Sequence, residues 1–435
     1  MSEVEIGIYF VAALLTLILV RVPIGIALIA VSFCGIWALM GWRVAWGAVG
    51  IIPFHFASNW VLSSVPAFLF MGFICYHARL TEGLFTAARV WLSALPGGLA
   101  VASVFGCGGF AAVTGSSVAC SAAMGKIAVP EMTRYNYHPS LATGAVAAGG
   151  TIGALIPPSL IMILYSVIAQ APVGKLFMGG LAVGVLTLFA YSTLIIARVM
   201  INPNLAPAVE ERYSFSEKLA ALAQTAPVLI IILGVFGGLF SGLFTPTEAG
   251  AVGAFLSCVV ALVFGRLSFD ALRKAAMETI VTTSALMIIA IGASLLTRFL
   301  ALSGSGEALT EAILGFGAEP LVIIFGITLI YLILGMFLEP IGCMMLTLPI
   351  VLPIIAETGY EAIWFGVFLT KILEIGMLTP PIGMNVFVIK SVVDRNISLG
   401  TVFRGVMWFI AVDLLILAFV VAFPLVILFL PNLLG

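Results

Sequence analysis

The chain has 435 residues, 63% of them hydrophobic and 9% charged, with a net charge of −1 and a mean hydropathy of +1.26. That composition belongs to a polytopic membrane protein and excludes a soluble enzyme, and the near-neutral charge argues against nucleic acid as a partner. Six cysteines in apolar stretches without a CxxC pair imply no disulfide framework, and His55, His77 and His138 lack metal-ligand spacing.

The start, MSEVEIG, is acidic and lacks the basic region of a cleaved signal, so the first apolar helix is expected to be retained. A helix needs about 20 apolar residues to span a bilayer. By that measure the chain reads as ten crossings. The first repeat (1–219) has scaffold crossings at 6–20, 22–40 and 52–77, then 140–170 and 176–199. The second (220–435) has scaffold crossings at 221–243, 247–265 and 279–300, then 361–389 and 405–431. Two apolar stretches do not fit, 97–132 and 319–356. Each is broken in its middle by Gly/Ser or Glu-Pro, leaving arms of about 16 residues, roughly 24 Å, short of a ~30 Å core. They read as re-entrant hairpins, the alternative being two full crossings per stretch. An amphipathic segment precedes each hairpin. Residues 82–95 carry Arg89 and Trp91, and 303–317 carry Glu307 and Glu311. Both read as interfacial arms, with a simple loop as the alternative for the second. The polar connector 201–219 is a cytoplasmic linker too short for a core of its own.

A spacing of 223 residues relates the halves. Ser117, Cys120, Pro130, Gly153, Pro157 and Pro158 recur as Pro340, Cys343, Pro353, Gly376, Pro380 and Pro381. Both copies thus interrupt an apolar helix with paired prolines at the same place, at 140–170 and 361–389. Backbone freed by such a break must be buried or line a cavity, and paired broken helices point to a transporter's binding site. With the N-terminus outside, Arg21, Arg79, Arg89, Arg134, Arg198, Arg212, Lys218, Arg266, Arg273, Lys274, Lys390, Arg395 and Arg404 fall inside. Arg43, Lys175 and Arg298 fall near the outside, and Lys126 and Lys371 lie within apolar segments. This map places hairpin 97–132 on the cytoplasmic side and 319–356 on the outer side. Five crossings per half make the repeats inverted, with both termini outside.

Five ordered motifs carry a resemblance: TGSSVACSAAMGKIAVPEM at 114–132, LATGAVAAGGTIGALIPPS at 141–159, LFTPTEAGAVGAF at 243–255, LEPIGCMMLTLPIVLPI at 338–354 and LEIGMLTPPIGMNVFV at 373–388. Over essentially its whole length the chain resembles the large membrane subunit of tripartite ATP-independent periplasmic (TRAP) transporters. The resemblance implies an all-α, multi-pass protein of the bacterial inner membrane with an elevator-type fold, in which two hairpins and two broken helices move against a scaffold. It implies uptake of organic acids driven by sodium (Na+), with a periplasmic substrate-binding protein and a small four-helix membrane subunit as partners. Two departures stand out. Glu339-Pro340 replaces a common Asp-Pro, and Cys120 stands where many members have a small polar or acidic residue.

Na+ is a hard cation that needs several oxygens, and unwound carbonyls and half-helix C-terminal ends supply them at a break. The first expected site combines Thr114, Ser116 and Ser117 at the hairpin tip with Gly150 and Gly153, the alternative being close packing of small residues. The second combines Glu339 and Pro340 with Gly376, Thr379, Gly383 and Asn385. Substrate-binding candidates are Lys126, Arg298, Pro157, Pro158, Pro380 and Pro381, although Lys126 and Arg298 also fit residues snorkelling to the interface. Glu374 is one helical turn from Lys371, so an ion pair within one helix competes with a functional role. Asp413 has no evident partner. No GxxxxGK[ST] motif occurs, so an ion gradient or passive flow must move the substrate. The alternatives to a TRAP-type permease are a self-sufficient symporter of the same fold, an intramembrane enzyme using Glu339, Glu374, Lys126 or a cysteine, and a passive channel.

Overall fold

Glycine and proline punctuate this apolar sequence, and in the computed structural model they cut it into helices. Residues 2–207, 213–315 and 319–434 are described, and among them no strand occurs. The linker residues 208–212, with Arg212, and the end of the second interfacial arm at 316–317 lie outside the described residues.

The helix boundaries repeat at the interval read from the prolines. Ile24–Met40 corresponds to Pro246–Val263, and Glu82–Leu92 to Ser305–Gly315, a helix where a loop was the alternative. The first hairpin, Gly98–Thr114 and Ser117–Arg134, corresponds to the second, Pro320–Gly335 and Pro340–Glu357. The broken helix Pro139–Thr151 and Leu160–Ala169 corresponds to Ala362–Gly376 and Met384–Val392. Pro157-Pro158 and Pro380-Pro381, at matching places in the two breaks, are both cis.

Arm length alone does not make the hairpins re-entrant. Their arms have 17, 18, 16 and 18 residues, and Pro340–Glu357 is long and apolar enough to cross by itself. What decides is where the tips end. Residues 115–117 and 339–341 line one cavity together with residues flanking both helix breaks. A full crossing would carry a tip to the far surface; these tips stop at the depth of the breaks.

Three crossings differ from the sequence reading. The crossing expected at 52–77 is divided, with Trp42–Ala57 as one helix and a short turn at Trp60–Ser63 leading into Ser64–His77. Ser58 and Asn59 cause the division, because the Asn59 side chain accepts a hydrogen bond from the Val61 amide (3.0 Å) and starts a new helix there. Its counterpart is one unbroken 35-residue helix, Phe269–Ser303, capped by Ser268, so the crossing expected at 279–300 begins ten residues earlier. The last crossing likewise ends at Ala422, ahead of Pro424, and a separate helix, Leu425–Leu434, follows.

The hairpins and broken helices form the interior. From Leu141 to Tyr165 every residue of the first broken helix is buried, whereas Glu3–Leu19 buries only Gly7 and Leu14. Glycine lets the backbones meet, since in lipid close packing rather than water exclusion drives helix association. A methyl on Gly376 would lie 2.6 Å from the Gly335 α-carbon, and one on Gly144 2.6 Å from the Gly405 carbonyl carbon. The first contact joins the second hairpin to the second broken helix. The second joins the first broken helix to Leu399–Ala422. A smaller apolar cluster, with Leu14, Leu28, Phe299 and Leu300, holds the first two helices against Phe269–Ser303.

Candidate functional site

The first hairpin turns at Gly115 and Ser116. Gly115 has φ +60, and Ser116 is extended and caps the second arm, its hydroxyl accepting from the Ala119 amide (3.4 Å). The tip lies against the first helix break. A methyl on Gly115 would stand 2.0 Å from the Pro158 carbonyl oxygen, and one on Gly153 3.1 Å from the Ser116 carbonyl and the Ser117 amide nitrogen. A methyl on Gly150 would meet the Ser121 hydroxyl at 1.9 Å and the Ser117 carbonyl oxygen at 3.2 Å. Ser116, Ser117, Gly150 and Gly153 are therefore brought together, and Ser121, which the sequence reading passed over, joins them. Its hydroxyl is buried without a hydrogen-bond partner. Thr114 turns its hydroxyl back to the Phe110 carbonyl (3.0 Å).

The second tip is built on the same plan with a different cap. Glu339 stands one repeat interval after Ser116 and caps Pro340–Glu357, its Oε1 accepting from the Gly342 amide (2.6 Å). The other expected members of the second site lie on the broken helix. Gly376 abuts Gly335, Thr379 donates to the Ile375 carbonyl (2.7 Å), and Gly383 opens the second piece with φ +57. The Asn385 amide nitrogen donates to the Met377 carbonyl (3.1 Å), while both polar atoms of its fully buried side chain are unpartnered. The breaks differ in access: Pro157 and Pro158 are buried, whereas Pro380 is half-buried and Pro381 exposed.

Between the tips lies a cavity of about 80 Å³, lined from one half by Gly115, Ser116, Ser117 and Ala154 and from the other by Glu339, Pro340, Glu374 and Met377. Both carboxylate oxygens of Glu374 are buried without a hydrogen-bond partner. Lys371 does not pair with it. The Lys371 ammonium instead reaches Asp413 Oδ1 (2.6 Å) and the Thr187 hydroxyl (3.2 Å), and Tyr191 donates to Asp413 Oδ2 (2.6 Å). Asp413 thus has partners from two other helices. Two lone charges of opposite sign in apolar segments, 371 and 413, were the available signal for this pair.

A wider cavity of about 390 Å³ opens from the tips toward the scaffold, lined by Ser116, Ala119, Glu339 and Ile341 on one side and Gly72, Phe73, Tyr76, Glu278 and Thr282 on the other. Tyr76 also lines an adjoining 560 Å³ cavity with His77, Arg79, Lys126, Asp270 and Lys274. His77 and Glu278 approach to 3.1 Å across the junction. Lys126 therefore stands in the mouth of this path rather than at the tips. Arg298 is exposed and lines none of these cavities. Among the described residues no group of three His, Cys, Asp or Glu side chains is placed to hold a metal. The unpartnered oxygens near the tips instead come from serine, asparagine and a single glutamate, a donor set suited to a hard monovalent cation.

Comparisons with known proteins agree with this architecture. Residues 11–426 match the family described as tripartite ATP-independent periplasmic transporter, DctM component. The chain is 33% identical over 391 residues to the C4-dicarboxylate TRAP transporter large permease protein DctM of Pseudomonas aeruginosa, covering 89% of this chain and 90% of that one. It is 30% identical over 430 residues to the sialic acid TRAP transporter permease protein SiaT of Haemophilus influenzae, covering 98% and 68%. It is 31% identical over 382 residues to the isethionate TRAP transporter permease protein DctMQ of Oleidesulfovibrio alaskensis, covering 87% and 59%. The fold is similar to the crystal structure of the Alcanivorax borkumensis YdaH transporter, with a TM-score of 0.63 at 15% identity over 98% of this chain and all of that one.

Proposed function

The chain belongs to the DctM family of tripartite ATP-independent periplasmic transporters, and from that premise we propose that it imports an organic acid across the bacterial inner membrane on an inward Na+ gradient. The observation that carries the proposal is the convergence of both hairpin tips and both helix breaks on one small cavity with unpartnered buried oxygens beside it. Such oxygens are costly to bury unless a ligand meets them, and a dehydrated cation is the ligand that serine, asparagine and carboxylate oxygens serve. The hairpins and broken helices form the moving body of an elevator. The helices around Ile24–Met40 and Phe269–Ser303 form the scaffold, and both termini face the periplasm.

The substrate's place in this reading is the 390 Å³ cavity at the tips, whose size suits a small organic acid. The adjoining cavity carries Arg79, Lys126 and Lys274, which the positive-inside rule assigns to the cytoplasmic side. Asp270 and Glu82 pair with Lys274 and Arg79 in that cavity, which leaves Lys126 as the cation that meets an anion passing toward the cell interior. The relatives' named substrates, C4-dicarboxylates, sialic acid and isethionate, are all organic anions, and the substrate here is placed in that class. A periplasmic binding protein delivers it. A small four-helix membrane subunit completes the permease.

The test is uptake into proteoliposomes containing the chain, its small subunit and its binding protein. Accumulation is expected only with Na+ high outside. Uptake that ignores Na+ and follows a proton gradient refutes the coupling. Uptake undiminished without the binding protein and small subunit favours a self-sufficient symporter.

A further inference from the structure

We propose that Glu374 is a cation ligand shared by the two halves: with Ser116, Ser117 and Glu339 it holds a monovalent cation in the cavity between the hairpin tips, and the Lys371–Asp413 pair keeps the neighbouring ammonium from taking that cation's place. This rests on the Na+-coupled reading and adds to it Glu374, which neither expected group of ligands contains, as the residue that joins members of both groups in one site.

Glu374 is 1% exposed, and the donor at its carboxyl is Ser117, which lines the same cavity but falls short of full hydrogen-bond geometry to either oxygen. A buried carboxylate without a donor or counter-charge is not tolerated in a water-free interior. Lys371, one helical turn away, is the cation within reach, yet its ammonium is committed to Asp413 and Thr187 and lies over the Tyr191 ring, 5.6 Å from the centroid. Tyr191 in turn holds the second Asp413 oxygen. Lys371 and Asp413 are committed to each other, which leaves the Glu374 carboxyl without an ionic partner and lining the cavity. Across the cavity Glu339 keeps one oxygen on the Gly342 amide. The cavity volume of 80 Å³ accommodates an ion and one or two waters, given about 30 Å³ per water in the liquid. Its walls come from both hairpins and both broken helices, so an ion there ties the two halves together as neither half's own cluster does.

The experiment is Na+ titration of the purified full-length chain in lipid nanodiscs by calorimetry, with choline replacing Na+ at constant ionic strength. E374Q is expected to bind one fewer Na+ and to raise the half-saturating concentration by about tenfold or more, the cost of losing a charged ligand. E374D, which keeps the carboxylate, is expected to recover part of that loss. D413N frees Lys371 to turn to Glu374 and is expected to weaken Na+ binding, whereas the double variant D413N/K371M regains it. Because removing both members of a buried ion pair also relieves damage to folding, Na+ affinity is compared among variants whose thermal unfolding is matched to the wild type. Wild-type Na+ affinity and stoichiometry in E374Q would show that Glu374 is carried neutral and would overturn the proposal while leaving Na+ coupling intact. Absence of Na+ binding by the wild-type chain, alone and with its partners, refutes the underlying reading and this inference with it. Should E374Q fail to fold, unchanged Na+ affinity in D413N, or a double variant no better than D413N, overturns the proposal.

Discussion

Replacing Gly115 with alanine tests whether the first hairpin tip is held against the first helix break by a contact that tolerates no side chain. Gly115 has φ +60, and its added methyl would lie 2.0 Å from the Pro158 carbonyl oxygen and 3.2 Å from the carbonyl carbon. The first effect is conformational, since the left-handed region costs an L-residue about 1–2 kcal/mol. The second is steric. Ordinary contact begins near 3.4 Å, so backbone must move by more than an ångström, and overpacking of that kind costs about 1–3 kcal/mol. Gly359→Ala separates the two. Gly359 has φ +78 with nothing within 4 Å of the added methyl, so it carries the conformational cost alone. Thermal unfolding of the purified chain at one fixed scan rate, read as the monodisperse fraction remaining, is therefore expected to show Gly115→Ala less stable than Gly359→Ala by about 1–3 kcal/mol. The half-saturating Na+ concentration should rise in Gly115→Ala alone, because the moved tip carries Ser116 and Ser117. Equal losses of stability and unchanged Na+ dependence in both variants would refute the docking of tip to break.

Alanine at Ser116, Ser117 or Asn385 is expected to raise the half-saturating Na+ concentration for uptake roughly five- to a hundredfold, equivalent to about 1–3 kcal/mol per lost oxygen, with assembly intact. Thr379→Ala should do less, because its hydroxyl already bonds the Ile375 carbonyl; lowered expression with unchanged Na+ dependence would mark all four as packing residues. Tyr191→Phe removes the hydroxyl that bonds Asp413 at 2.6 Å, and thermal unfolding should register a loss of about 1.5–3 kcal/mol; full wild-type stability would mean that the hydroxyl is dispensable to the buried pair. For topology, single cysteines at the exposed positions Glu307 and Glu357 should react with an impermeant reagent from outside and one at Arg134 from inside. Ser305 is buried and unsuited to such labelling. Modification of positions 134 and 307 from the same side would reject the inverted arrangement.

The all-helical membrane class, the interval of 223 residues, the two hairpins and the two proline breaks were all legible in the residues, because each depends on local chemistry. Apolar length marks a helix in lipid, and proline and glycine mark where its hydrogen bonding stops. The division at Ser58 and Asn59 escaped that reading because a single polar pair within an apolar run does not announce a cap until its side chain has found an amide. Tertiary structure alone decided which charges meet. Lys371 and Glu374 share a helix face in sequence, yet the ammonium turns to Asp413, 42 residues later, because the cross-helix contact supplies a carboxylate that Tyr191 already orients. It likewise decided that the two tips share one cavity. The spacing told of two similar breaks, one in each half, and implied a separate cluster for each. Only the packing of glycine against backbone at Gly115, Gly153 and Gly376 brings both breaks to the same depth. That is a distance between parts of the chain more than two hundred residues apart, and no local preference encodes it.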